Sequence, residues 1–274
     1  MRKLFKMKHI LSVFLVALVL ITSNSCKKDD KDELPELPPI EALLMDFSFF
    51  DDGVPQEKKA VSSYQNFGYA VMNVTAWSAA ATLVVILPVA AYAEAFNHEA
   101  VYLGDNSWQW SYSVTAGQVT YTARLVSKRI SNEEFTLKMI VSKSGEGGFE
   151  NFTWFEGTVR YDHTSANWNL YESPDVAYPV LNIAWTMDWE EDLYTIKYSC
   201  MKPQSELYGG YIEHGVTDNT DFDAYYTIYF PANTINIEWN RTSKAGRVKS
   251  PGYFADENWY CWDENFLDIT CEGQ

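Results

Sequence analysis

A mainly β fold is predicted: a long antiparallel meander curled into a barrel-like or half-barrel sheet around one buried, kinked apolar helix. Three observations predict it. From Ser107 onward apolar and polar residues alternate with period two, in short runs separated by turn residues. No helix-period segment interrupts those runs, which argues against a parallel βαβ architecture. Before them, residues 68–93 carry no charge at all.

The chain begins with an export signal. Residues 1–25 join a basic start (MRKLFKMKH) to an apolar run from Ile10 to Ile21. That run is too short for the roughly 20 residues of a membrane span. Thr22, Ser23, Asn24 and Ser25 then lead to Cys26. Two processing routes fit: plain cleavage near Ser25, or diacylation of Cys26 as a new N-terminus. Small residues before a lone Cys favour the second, and two or three acyl chains hold a protein firmly on a membrane. The stretch CKKDDKDELPELPPI, residues 26–40, is a charged and then Pro-rich tether.

Thr22–Cys26 resembles a loose lipobox, and Lys-Lys-Asp-Asp after the Cys resembles the acidic export signal of surface lipoproteins in Bacteroidota. The body that follows is similar to uncharacterised lipoproteins of that phylum. The resemblance implies an outer-membrane lipoprotein, facing either the surface or the periplasm, and it implies no activity.

Residues 41–274 are read as a single β-rich domain. In ALLMDFSFF, residues 42–50, Met45, Phe47 and Phe49 alternate with polar residues, so a first strand is expected, ended by Asp51-Asp52-Gly53. A polar surface connection follows at 54–63. The uncharged stretch is rich in Ala and Leu and reads as a helix over about 66–97. Pro88 divides it into pieces at roughly 66–87 and 88–97. Apolar on nearly every side, it should be buried all round. Asn73, Thr75, Ser78 and Thr82 dilute it, which with Pro88 and the existing lipid anchor argues against a second membrane span. About eleven strands follow: one opens with Trp108, Trp110 and Tyr112, the next carry Val119 to Leu125 and Phe135 to Val141, and the last ends near 250. An open sheet that long must curl or split. Curling around the helix would bury both.

Four cysteines need roles. Cys26 is the lipidation site. Cys261 and Cys271 lie ten residues apart in an exported chain, so a local disulfide is expected. Cys200 shares a strand face with Tyr194, Ile196 and Tyr198 and reads as a buried, inert thiol. Cys-x2-Cys spacing is lacking, which argues against structural zinc.

The 37 acidic and 21 basic groups include four basic groups and no acid in the first 25 residues. The exported part is therefore strongly acidic, which excludes general nucleic-acid binding. His98, His163 and His214 lie in unrelated contexts. Glu213 and His214 are neighbours on a strand and should point to opposite faces. Glu150, Glu156, Asp162 and Glu172 could supply a glycosidase pair, and Glu150 and Glu156 are expected on one strand face with Phe152 and Trp154. Asp218 to Asp223, and Asp188 with Glu190 to Asp192, read as solvated turns rather than calcium loops. The sequence holds no nucleophile elbow, phosphate loop or dinucleotide fingerprint.

Aromatics are in excess, with 10 Trp, 18 Tyr and 15 Phe. Trp platforms suit sugar rings and apolar ligands. Trp259 and Trp262, beside the expected disulfide, and Trp154 with Phe152 are the candidate ligand-binding residues. The expected function is non-enzymatic binding of a glycan or a surface protein by a membrane-anchored lipoprotein, with no cofactor and no metal. The alternatives are a carrier for an apolar ligand such as a lipid, and a polysaccharide hydrolase.

Overall fold

The computed structural model describes residues 34–51 and 62–271. Cys26, the signal segment, the charged part of the tether and most of the 54–63 connection lie outside the described residues.

Among the described residues fourteen strands follow one another in sequence and in space, each antiparallel to the next. The first five are β1 (Val101–Gly104), β2 (Ser107–Ala116), β3 (Val119–Arg129), β4 (Glu134–Lys143) and β5 (Phe149–Arg160). The middle of the sheet is β6 (Ser165–Leu170), β7 (Leu181–Asp188), β8 (Leu193–Cys200), β9 (Tyr211–Val216) and β10 (Ala224–Phe230). It ends with β11 (Asn233–Trp239), β12 (Gly246–Lys249), β13 (Tyr260–Trp262) and β14 (Asp268–Ile269). The meander is thus mainly β as expected, and β1 and β14 are free edges, so the sheet stays open rather than closing into a barrel.

Alternation sets the inner face. On β4 it is Phe135, Leu137, Met139 and Val141, and on β7 Leu181, Ile183 and Trp185, all buried. Two inner glycines seat tryptophans across the ladder. Gly157 pairs with Trp168 and Gly246 with Trp262. A Cβ at Gly157 would lie 2.4 Å from the Trp168 ring, and one at Gly246 would lie 2.3 Å from Trp262. Only glycine lets these rings lie flat on the neighbouring strand.

What occupies the concave side differs from expectation. Residues 42–50 form no strand. They belong to a plug made of a 3-10 turn, Ile40–Ala42, an extended stretch, and a short helix α1, Ser48–Asp51. The alternation of Met45, Phe47 and Phe49 is real, but it seats side chains rather than pairing backbone. Phe47 stacks on Tyr226 at 6.0 Å, and Phe49 stacks on Trp239 at 5.0 Å. The plug's buried backbone needs partners, and aromatic side chains of the sheet provide them. Trp168 Nε1 donates to the Ala42 carbonyl at 2.9 Å, and the Tyr226 hydroxyl donates to the Asp46 carbonyl. Much of the Trp and Tyr excess is spent here.

The helix is continuous. α2 runs Gln65–Ala95 straight through Pro88, not in two pieces. Pro88 is buried on its inner side, where packing offsets the lost Val84 carbonyl bond. Burial follows a stripe, Ala70, Val74, Trp77, Ala81, Val85, Pro88, Tyr92 and Ala95, at spacings of three and four. The opposite face is exposed although it is equally apolar: Leu83 is 84% accessible, Leu87 60% and Ile86 56%. The burial expected on every side is therefore met on one.

α2 lies along the strand ends at one rim of the sheet. Its N-terminal part packs on β12, β13 and β14, Trp77 meets Phe230 at the end of β10, and the C-terminal part meets β2 and β3. The helix start is capped from far away. Asp268 of β14 accepts the Gln65 and Asn66 amides, each at 3.0 Å, satisfying donors that a helix N-terminus leaves free. Cys261 and Cys271 are joined, with Cα atoms 5.3 Å apart, and the bridge closes the loop that carries Asp268.

Candidate functional site

Because the plug rather than the helix fills the concavity, α2 leaves space beneath its C-terminal half. A cavity of about 650 Å³ opens between α2 and β2–β5. That volume is within the roughly 300–1,000 Å³ of small-molecule sites. Leu87, Ala90 and Ala91 form its helix wall, and Glu172 to Pro174 close one side.

The sheet wall has two rows fixed by strand register. The inner row is Tyr112, Ala123, Val141 and Phe152, successive cross-strand partners. The outer row is Val114, Tyr121, Lys143 and Phe149, paired in the same way two residues along. The inner row is largely buried, while Val114 and Tyr121 of the outer row are exposed at the mouth.

Irregularity in β5 builds the aromatic end. The β4–β5 register shifts between Met139 and Ile140 and again between Val141 and Lys143. Asn151 takes a positive φ of 54° at this point. Trp154 is the unpaired residue of the first shift, so Phe152 and Trp154 both reach the cavity. The same shifts separate them from the carboxylates expected beside them. Glu156 is on the outer face, 2.6 Å from Lys138 Nζ, and Glu150 is exposed. The hydrogen bond from Lys138 holds the Glu156 carboxyl below its ordinary range.

The polar groups around the cavity fall into two sets. The first set is satisfied. Glu94 accepts from Asn97 at 3.1 Å and contacts His98 Nε2 at 3.0 Å, and the His98 bond, then the Asn97 bond, lower its pKa. Lys202 holds both oxygens of Glu172, at 2.8 and 3.1 Å. The Tyr112 hydroxyl donates to the Ala91 carbonyl, its ring stacks on His98 at 5.0 Å, and burial raises its pKa. The second set is Lys143 and Tyr121, whose side chains have no hydrogen-bond or ion-pair partner among the described residues.

The other sequence candidates lie elsewhere. Trp262 is fully buried and donates to the Lys244 carbonyl at 2.9 Å. Trp259 packs under Arg247 at 4.3 Å and Lys249 at 5.2 Å. These two are apart from the cavity lining, whereas Trp154 and Phe152 are in it. Asp162 is tied to Arg160 at 3.0 Å, and that hydrogen bond chiefly depresses its pKa. Asp223 pairs with Arg241 at 3.0 Å, and Asn219 accepts the Asp221 and Phe222 amides. Glu213 points outward to Tyr225 and His214 inward to the core, as adjacent strand positions require. His163, in the β5–β6 turn, contacts the Glu36 carbonyl at 3.2 Å. Cys200 is a free, half-buried thiol packed against the core. Among the described residues no three His, Cys, Asp or Glu side chains converge as a metal site.

The sequence reading missed the cavity itself. Its one legible trace was the Phe152–Trp154 pair. No known protein family, curated protein or solved structure matches this chain.

Proposed function

We propose that the protein is an exported lipoprotein, anchored at the outer membrane through Cys26, that binds an apolar small molecule between α2 and β2–β5 and performs no reaction on it. The observation that carries this reading is the cavity of about 650 Å³ with its mainly apolar wall. An apolar wall left open to water costs hydrophobic free energy that a bound apolar ligand would recover. The helix wall strengthens the reading, because Leu87, Ala90 and Ala91 present only apolar side chains to the cavity.

The test uses the full-length chain with Cys26→Ser, exported to a periplasm and purified without detergent. Native mass spectrometry should find an apolar small molecule that is released on denaturation. After solvent extraction, isothermal titration should show saturable binding of 1-dodecanol. A clean apo mass together with no dodecanol binding would end the proposal.

A second reading is a docking face for a glycan or a surface protein. The exposed Leu83 and Ile86, outside the cavity lining, favour it. It gains little from the C-terminal tryptophans, one buried and one packed under cations. Polysaccharide hydrolysis draws no support from Glu156, Asp162 or Glu172, each engaged by a neighbouring Lys or Arg.

A further inference from the structure

We infer that the cavity takes an amphiphile with one aliphatic chain and a carboxylate head, with the head at Lys143 and Tyr121 and the chain along Tyr112, Ala123, Val141 and Phe152. This deepens the proposed function and rests on it.

Three features of the cavity converge on that ligand. The first is the layering of the wall. Register places an apolar row inside and a row containing a cation and a phenol outside, so polarity rises from floor to mouth. A neutral hydrocarbon gains nothing from such a gradient, whereas an amphiphile is oriented by it.

The second feature is the charge balance of the lining. Its two carboxylates already have partners, Glu94 hydrogen-bonded to His98 and Asn97 and Glu172 held by Lys202. Lys143 has no ion-pair partner among the described residues. Lys143 is therefore the cation of the lining that is left for a ligand, and the head that matches it is an anion.

The third feature is geometry. Tyr121 and Lys143 are directly opposite each other on β3 and β4. The Lys143 amine lies over the β4–β5 turn, 3.5 Å from where a Gly147 Cβ would be, so it sits at the mouth and not on the floor. Gly147 has a φ of 64°, a conformation that suits glycine and leaves the turn without a side chain above the amine. A carboxylate at this point can accept from the ammonium through one oxygen and from the Tyr121 hydroxyl through the other.

The experiment compares dodecanoate with 1-dodecanol, which share a chain and differ in the head, by isothermal titration on the full-length Cys26→Ser protein. Dodecanoate should bind about ten-fold tighter, the worth of one charge-assisted contact. Lys143→Met should abolish that preference, and an unaltered urea unfolding transition verifies the fold. Tyr121→Phe should remove part of it. Lys143→Glu should reverse it and favour dodecylammonium. Equal affinities for acid and alcohol in the unaltered protein would overturn the inference while leaving the apolar site standing. A preference that survives Lys143→Met would overturn it too. Failure of both ligands to bind would remove the proposed function and this inference together.

Discussion

The Tyr198 hydroxyl accepts the amide N–H of Met45 at 2.8 Å, joining the plug to β8 across 153 residues. It also donates to the Leu43 carbonyl at 2.8 Å. Tyr198 is fully buried, and desolvation raises its pKa, so the hydroxyl keeps its proton for the second bond. Tyr198→Phe leaves one buried donor and one buried acceptor unpaired. The expected loss is about 2–4 kcal/mol, read from urea unfolding with an unchanged m-value. A loss below about 1 kcal/mol would mean that the plug is not held this way.

His214 should make stability fall in mild acid. Its Nδ1 lies 2.9 Å from the Tyr225 carbonyl, which can only accept, so Nδ1 carries the proton. Nε2 then accepts from the Tyr194 hydroxyl at 3.0 Å, and the ring stacks on Trp239. Desolvation lowers its pKa, and Asp46 and Arg241 act on it in opposite directions. The folded state thus takes up the His214 proton at lower pH than the unfolded chain. Its stabilising share is present above the unfolded value of about 6.5 and fades as pH falls through the folded one. Thermal melts between about pH 7.5 and 5 should show this slope, and His214→Gln should flatten it. Equal slopes would assign the effect to the carboxylates.

The disulfide and the helix cap act on one loop. Replacing Cys261 and Cys271 by Ser should cost about 2–3 kcal/mol. Asp268→Ala should cost about 0.5–2 kcal/mol through the lost cap on Gln65 and Asn66. Since the bridge positions the cap, the combined variant should lose less than the two losses added, which a double-mutant cycle by denaturant melts would detect. Strict additivity would separate the two roles.

Ala90 faces the cavity from the helix. Ala90→Trp should fill the space and block dodecanol binding, with the unfolding midpoint maintained or raised. Binding that persists at full strength would place the ligand elsewhere.

The two faces of α2 should respond differently to the same change. Leu83→Gln, at an exposed site, should alter stability by less than about 0.5 kcal/mol. Val85→Gln, on the buried stripe, should cost about 2 kcal/mol or more. Equal costs would show that the outer face of the helix is covered in solution.

The sequence made the meander legible because Phe135 to Val141 and similar runs alternate cleanly between buried and exposed positions. β1, β13 and β14 escaped notice because two to four residues carry no period. The plug was misread because Met45, Phe47 and Phe49 alternate like a strand, while their backbone partners are Trp and Tyr side chains far along the chain. For α2, composition is silent on direction: the buried stripe of Ala, Val, Trp and Pro is no more apolar than Leu83, Ile86 and Leu87. The cavity was hidden by the shifts in β5, which turn Phe152 and Trp154 away from Glu156. Among these residues Asn151, in a conformation few side chains adopt, was the local hint.

The position of the plug also fixes when the molecule can be completed. The Asp46 carbonyl waits for a hydroxyl 180 residues downstream, on Tyr226. A chain delivered N-terminus first must carry Phe47, Phe49 and Phe50 unsheltered until the later strands have formed. Such long-range closure slows folding and prolongs the interval in which apolar surface is open to aggregation. The leading end of the folded body is therefore among the last parts to find its place.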